Sequence, residues 1–210
     1  MASTSASRTA PDPARRSERA RAAVLAAATE LVADVGYGKL TIEAIAARAG
    51  VGKQTIYRWW PSKGAVVFDA FLAVSEHDGG LALPDTGDLA ADLRAVLRPT
   101  SDELTDPGAD RTYRAIVAEI LNDPALHAEY RTRLLDPLLE VTRDRLRRAR
   151  EAGQIAPDAD LDLAVELVYG PLYYRWQYRL GPLTHAHADR LVDAALRALA
   201  PPPTTAAHEA

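Results

Sequence analysis

The sequence predicts an all-α protein with a small N-terminal helical head and a larger helical body. Three observations carry that prediction. Apolar residues recur at helical spacing along almost the whole chain. No run of alternating β-branched residues between turns marks a strand. Capping residues, glycine stops and Asp-Pro pairs punctuate the pattern at helix-length intervals.

The first helix is expected from about Arg16 or Ser17, with Val24, Ala28, Leu31 and Val35 on one face and Gly36 as a left-handed stop. Thr41 can cap the second, whose inner face is Ile42, Ile45 and Ala49, with Leu40 stapled to Ile45. Gly50 ends it, Val51 fills the corner, and Gly52 precedes a short third helix beginning at Lys53, so AIAARAGVGKQTIYRWW reads as helix, three-residue turn, helix. After Pro61, Ser62 can cap a helix from Lys63 toward Ser75 with Val66, Val67, Ala70, Phe71 and Val74 apolar. A Gly- and Asp-rich loop, 78–88, leads to helices near 88–98, 110–121, 124–151, 160–179 and 184–199. Pro137 should kink or split the fourth-from-body-start pattern at 124–151, because an interior proline costs about 3 kcal/mol. The expected organisation is an arm at 1–15, a head at 16–61, a body at 62–200 and a tail at 201–210. Both end segments are polar and Pro-rich without apolar periodicity, as in disordered tails.

Composition narrows the function. There is no cysteine, which excludes disulfides, thiolate metal sites and a Cys nucleophile. No stretch is long and apolar enough for a membrane span, and MASTSASRTAPDPARR lacks the apolar core of a signal peptide, so a cytoplasmic location is expected. Net charge is −4, but it is unevenly distributed. Residues 1–72 hold ten Lys/Arg against six Asp/Glu, and the remainder fifteen against twenty-three. A basic head on an acidic body points to local attraction to a polyanion.

KQTIYRWW, residues 53–60, places two of the three tryptophans on a very short helix. Ile56 and Trp60 share one side and can pack on Ile45, Ala49 and the first helix. Lys53, Gln54, Tyr57 and Arg58 lie on another, free to meet a ligand. A short helix fits the DNA major groove, where Arg or Lys can bridge guanine O6/N7 and Gln can bridge adenine N6/N7. Trp59 can lay its indole along a backbone and donate to a phosphate, and Lys63 can hold a phosphate in register. The alternative is a merely exposed, charged helix on a bundle.

The stretch LTIEAIAARAGVGKQTIYRWWPSKGAVV resembles the DNA-binding domain of the TetR family of bacterial transcriptional regulators. It carries the Gly36-Tyr37 turn, the Thr41 cap, the Ala49-Gly50-Val51 turn, Thr55-Ile56-Tyr57-Arg58-Trp59-Trp60, and Lys63. Gly52 stands where a Ser cap is common. The resemblance implies Lys53, Gln54 and Arg58 as base readers and Thr41, Thr55, Tyr57, Trp59 and Lys63 as backbone contacts. It also implies a homodimer on a near-palindromic double-stranded operator, with a small-molecule effector in the body moving the helix at 63–75 to release the DNA. Repression is the expected mode. The competing classes are a helical small-molecule-binding protein whose head does not bind DNA, and a helical enzyme using the body's cavity.

ELVYGPLYYRWQYRLGPL resembles the dimer-forming helix of one branch of that family. The 160–179 helix is apolar on nearly all sides and must be covered on both. With the last helix it suggests an interface at Leu172, Leu191, Val192, Ala195 and Leu199; burial within a monomer is the alternative. Tyr113, Ile116, Ile120, Tyr169, Tyr173 and Trp176 are candidate pocket residues, apolar walls with a few phenols suited to a hydrophobic ligand. Plain core is the alternative for each. His185 and His187 are poorly spaced for a shared metal, and Asp158, Asp160 and Asp162 lack the Gly and closing Glu of a calcium loop. No phosphate loop or catalytic triad is visible, and neither cofactor nor enzyme activity is expected. The Arg143, Arg145, Arg147, Arg148, Arg150 cluster reads as a solvated helix face or a basic patch.

Overall fold

A computed structural model describes residues 13–77 and 83–201, with the side chains at 13, 14 and 74–77 excepted. Residues 1–12 of the expected arm, 202–210 of the expected tail, 78–82 of the expected 78–88 loop and the Val74 side chain lie outside the described residues. Among the described residues there is no strand. The chain divides into two compact units at Val74/Ser75.

In the head, α1 is Pro13–Val35, starting three residues before the expected point. Its buried stripe is Val24, Ala27, Ala28, Leu31 and Val32, whereas Val35, expected on the same face, is 45% exposed. Gly36 follows at φ 76°, a left-handed conformation that glycine adopts without Cβ strain. A 3₁₀ turn, Tyr37–Lys39, brings in α2, Ile42–Ala49. Thr41 caps α2, its hydroxyl accepting the Ala44 N–H at 3.1 Å, and Leu40 and Ile45 are both buried as the staple requires. Gly50, at φ 67°, closes α2. Helix α3 is Lys53–Tyr57, extended by turns to Trp60 through Trp59 and Trp60 N–H bonds to the Ile56 carbonyl. Helix α4 is Lys63–His77, and Ser62 caps it through Ala65 N–H. Val66, Val67, Phe68, Ala70 and Leu72 are buried, so the start of α4 is part of the head's core and the boundary falls later than the expected one after Pro61.

The body is built around α5, Leu89–Thr105, which packs on α6 (Pro107–Asn122), α8 (Asp136–Glu151), α9 (Leu161–Gln177) and α10 (His185–Ala198). Its Leu89, Leu93, Leu97 and Leu104 meet Leu146, Val165, Val168, Leu172 and Val192 in one core. Aspartate or threonine caps four of these helices: Asp88, Asp106, Asp160 and Thr184. The Asp160 of the calcium-like triplet is therefore a helix cap. Helix α5 does not stop at Arg98 as expected but runs through the exposed Pro99. The proline forfeits one backbone bond, but continuing the helix buries Ser101 and Leu104 on the core side.

The expected split at Pro137 is present in a specific form. Helix α7 is Pro124–Tyr130, and residues 131–135 are a π turn in which Asp136 N–H donates to the Arg131 carbonyl five residues back. Pro137 then occupies the first turn of α8. One extra residue in the turn lets a donor-less proline sit where no donor is needed.

The expected interface residues lie mostly inside the chain's own core. Leu172 and Val192 are fully buried and Ala195 and Leu199 nearly so in the chain's own core, and Leu191 packs partly against it. Leu172, Val192, Ala195 and Leu199 thus leave little surface for a mate, whereas the half-buried Leu191 keeps some. Of the large apolar side chains on α9, Leu163, Tyr173 and Tyr174 are exposed at 51%, 37% and 60%, and Tyr178 just past its end at 62%.

Candidate nucleic-acid interface and aromatic site

Helix α3 divides its side chains by face. Ile56 is fully buried and Trp60 is 3% exposed. The Trp60 indole N–H donates to Asp69 Oδ2 at 2.8 Å, and Arg21 reaches the same oxygen at 2.9 Å while lying over the Trp60 ring. One oxygen of this buried carboxylate thus takes both an indole N–H and a guanidinium, which ties the end of α3 to α1 and α4. Asp69 and Arg21 were not legible in the sequence, because 48 residues separate them.

On the opposite face, Gln54, Tyr57 and Arg58 are exposed, Tyr57 at 50%. None of the three donates to or accepts from another described side chain. The Arg58 guanidinium lies 5.0 Å from the centre of the Trp59 ring, and Trp59 stands edge-on to Trp60 at 5.4 Å. The stack continues from the buried indole to the exposed cation, which restricts Arg58 before any ligand arrives. Lys53 is tied to Glu43 at 3.0 Å across the turn. Hydrogen bonding to Lys53 holds the Glu43 carboxyl below its ordinary range, and the same bond raises Lys53. Thr55 is half-buried, and Thr41 is exposed with its hydroxyl already engaged as the α2 cap.

Lys63 is already engaged within the head. Its ammonium donates to the Tyr37 and Leu40 carbonyls, both at 3.2 Å, and lies 4.3 Å from the centre of the Tyr37 ring. It holds the 3₁₀ turn and the α2 entry in place. Lys63→Ala is therefore expected to destabilise the head by about 1.5–3 kcal/mol, the range for hydrogen bonds to a charged group. An unchanged head transition in thermal unfolding would overturn that role.

In the body, the candidate pocket residues form a connected group. The Tyr113 and Tyr173 rings stand at 84° and 87° to the Trp176 indole, with centroids 6.4 and 6.3 Å away. Tyr113 donates to Glu103 Oε1 at 2.6 Å, and the Trp176 N–H donates to Asp110 at 2.7 Å. Tyr169 is hydrogen-bonded to Thr142 in the interior, and Ile116 and Ile120 are buried. Tyr130, not anticipated from the sequence, lies within electrostatic reach of Tyr113 and Tyr173. Burial, then the Glu103 hydrogen bond, pushes the Tyr113 phenol up; burial does the same to Tyr130.

The arginine cluster on α8 is neither patch nor solvated face throughout. Arg145 is 1% exposed and ion-paired with Asp92 at 2.7 Å, while Arg143, Arg147 and Arg148 pair with Asp162, Asp144 and Asp85. Among the described residues there is no cluster suited to a metal and no helix long and apolar enough to cross a membrane.

Comparison with known proteins agrees with this geometry. Residues 24–70 match the model for bacterial regulatory proteins of the tetR family, and residues 83–195 match the tetracyclin repressor-like C-terminal domain. The uncharacterized HTH-type transcriptional regulator YdeS of Bacillus subtilis is 34% identical over 160 residues, 76% of this chain and 79% of that protein. The DNA-binding transcriptional repressor TetR of Mycobacteroides abscessus is 31% identical over 192 residues, 89% and 97% of the two chains. Among solved structures, the TetR family transcription regulator SCO0332 aligns with a TM-score of 0.70 at 37% identity, covering 87% of this chain and 100% of that one. The chain belongs to the TetR family of bacterial regulatory proteins and is a helix-turn-helix transcriptional regulator rather than an enzyme.

Proposed function

We propose that the protein represses transcription as a cytoplasmic homodimer on a palindromic operator and is released when a small molecule occupies the aromatic site of the body. The observation carrying the DNA half of this reading is the α3 surface. The Gln54, Tyr57 and Arg58 side chains are exposed and make no hydrogen bond among the described residues, on a helix whose other side is anchored by Ile56 and Trp60. Arg58, Gln54 and Lys53 read base edges in the major groove, Lys53 after exchanging Glu43 for the DNA. Thr41, Thr55, Tyr57 and the Trp59 indole N–H contact the sugar-phosphate backbone, and Lys63 supports that surface from behind with one proton left for a phosphate.

Two heads related by a twofold axis present α3 to half-sites about 34–36 Å apart, which makes the operator a near-palindrome. The mate packs on the exposed α9 stripe at Leu163, Tyr174 and Tyr178, with Ala194 of α10 permitting close approach. Tyr174→Arg is expected to convert the dimer to monomer in sedimentation equilibrium while the helical content is kept; a dimer that persists would place the interface elsewhere.

Effector response draws support from the flavonoid-responsive regulator FrrA, a structural neighbour at 25% identity and TM-score 0.63 covering 87% of this chain. A coupling of about 1–3 kcal/mol between effector and operator would change DNA affinity roughly 5- to 150-fold. The test is footprinting of the purified protein on the DNA flanking its own gene at stated salt. A protected palindrome supports the reading. If neither that DNA nor a selected random pool yields a protected sequence, the head is not a DNA reader.

A further inference from the structure

In residues 41–60, the stretch that carries α2 and α3, Glu43 is the single acidic residue, against Arg48, Lys53 and Arg58. Arg48 pairs with Glu30 and Asp34 of α1 and so ties two helices of the head together. Glu43 pairs in another direction. Its Oε1 reaches across the turn to Lys53 Nζ at 3.0 Å, and both side chains are more than half exposed. An ion pair this exposed adds little to the stability of the head. An acid in the first turn of a helix also suits the helix dipole. That accounts for a carboxylate at the start of α2, but not for its place beside the first side chain of α3.

Glu43 follows Thr41 by two residues and Lys53 precedes Gln54, so the pair belongs to the surface read as facing DNA. When Lys53 leaves Glu43 for a base, the carboxylate loses its cation beside a polyanion. Every sequence that offers it no donor then repels it. The major groove holds two such donors, the exocyclic amines of cytosine and adenine. Lys53 selects between them. Guanine offers a lysine two adjacent acceptors, O6 and N7, whereas thymine offers O4 beside a methyl group. The amine next to guanine O6 is N4 of the cytosine paired with it. These two atoms are Watson–Crick partners at hydrogen-bond distance, which is also the separation of Lys53 Nζ and Glu43 Oε1. One ion pair thus matches one base pair, cation to acceptor and anion to donor. Inverting the base pair sets ammonium against amine and carboxylate against carbonyl, so both contacts fail together.

We infer that Glu43 is a specificity-determining residue: it accepts from cytosine N4 while Lys53 donates to the guanine of the same pair, and together they read one G·C pair in one orientation. This deepens the reading of α3 as a DNA reader and rests on it. Base recognition then includes a residue of α2.

The full-length protein is used to select duplexes from a random pool, and binding is then measured on the selected sequence varied one position at a time. Glu43→Ala and Lys53→Ala are expected to relax preference at the same base pair, each about 5- to 100-fold, and the double variant by little more than either. In the parent, T·A at that position, which keeps the central acceptor and donor in order, should be tolerated better than the inverted C·G. Glu43→Gln keeps a carbonyl acceptor and should still prefer G·C to C·G. The inference is overturned if Glu43→Ala tightens binding to every sequence alike, which would make the carboxylate a repulsive element only. It is equally overturned if the two alanine variants relax different positions, or if Glu43→Ala lowers the thermal stability of the head and leaves base preference intact, as a helix-dipole role requires. A parent that selects no sequence at all would sink the DNA reading and this inference with it, whereas a parent whose selected preference survives Glu43→Ala would sink this inference alone.

Discussion

Asp92→Ala is expected to destabilise the body by about 3–5 kcal/mol, the cost of leaving a buried charge without its partner. Asp92 and Arg145 are each 1% exposed, and the carboxylate receives Arg145 Nε at 2.8 Å and the Thr86 hydroxyl at 2.7 Å. Arg145 also reaches Asp85, so one guanidinium ties α8 to α5 and to the loop ahead of it. Urea unfolding of the variant should show an earlier body transition. Replacing both partners with apolar residues, Asp92→Leu with Arg145→Met, should recover much of the loss, because neither then buries an unpaired charge. A single variant as stable as the parent would show that water reaches the pair.

The same pair predicts a pH dependence. Burial opposes ionisation of Asp92, but hydrogen bonds from Thr86 and Arg145 outweigh it, and its carboxyl is held below its ordinary value. A depressed folded value means that the stabilisation is complete above the unfolded carboxyl value of about 3.9 and is lost as the pH falls through the lower folded one. The gap in urea midpoint between parent and Asp92→Ala should therefore be constant near neutrality and close at strongly acidic pH.

Arg58→Ala is expected to cost about 1–3 kcal/mol of operator affinity and to relax preference at a single base pair. The Arg58 guanidinium is exposed, has no hydrogen-bond partner among the described residues, and is held by its stack on Trp59. Binding measured across operators varied one position at a time checks it. A uniform loss at every sequence would make Arg58 a phosphate contact instead. Gln54 offers an internal comparison, since its loss should relax a different base pair.

Much of the head was legible in the sequence because its signals are local. A cap, a staple and a glycine stop act within five residues, and Thr41, Leu40 and Gly50 each do what their neighbours require. The division of α3 into Ile56 and Trp60 inside and Gln54 and Arg58 outside follows from helical period alone. The split near Pro137 was legible for the same reason, though not its π form. Proline was misleading at Pro99, where the local penalty is outweighed by core burial further along α5.

Periodicity and capping depend on residues one or two turns apart, so the all-α class, the order of helices, the helix-turn-helix and the outward side of α3 can be read from the chain. The partner that each polar group finds cannot, because it is settled by packing. Lys63 turns to backbone carbonyls of the preceding turn, Arg145 is buried on Asp92 rather than solvated with its neighbours, and Leu172 and Val192 fill the protomer's own core. Helix α9 is apolar all round, so sequence shows that every side is covered or exposed at a cost, but not which neighbour covers which side. That choice is made by contacts between residues tens of positions apart, which no local pattern encodes.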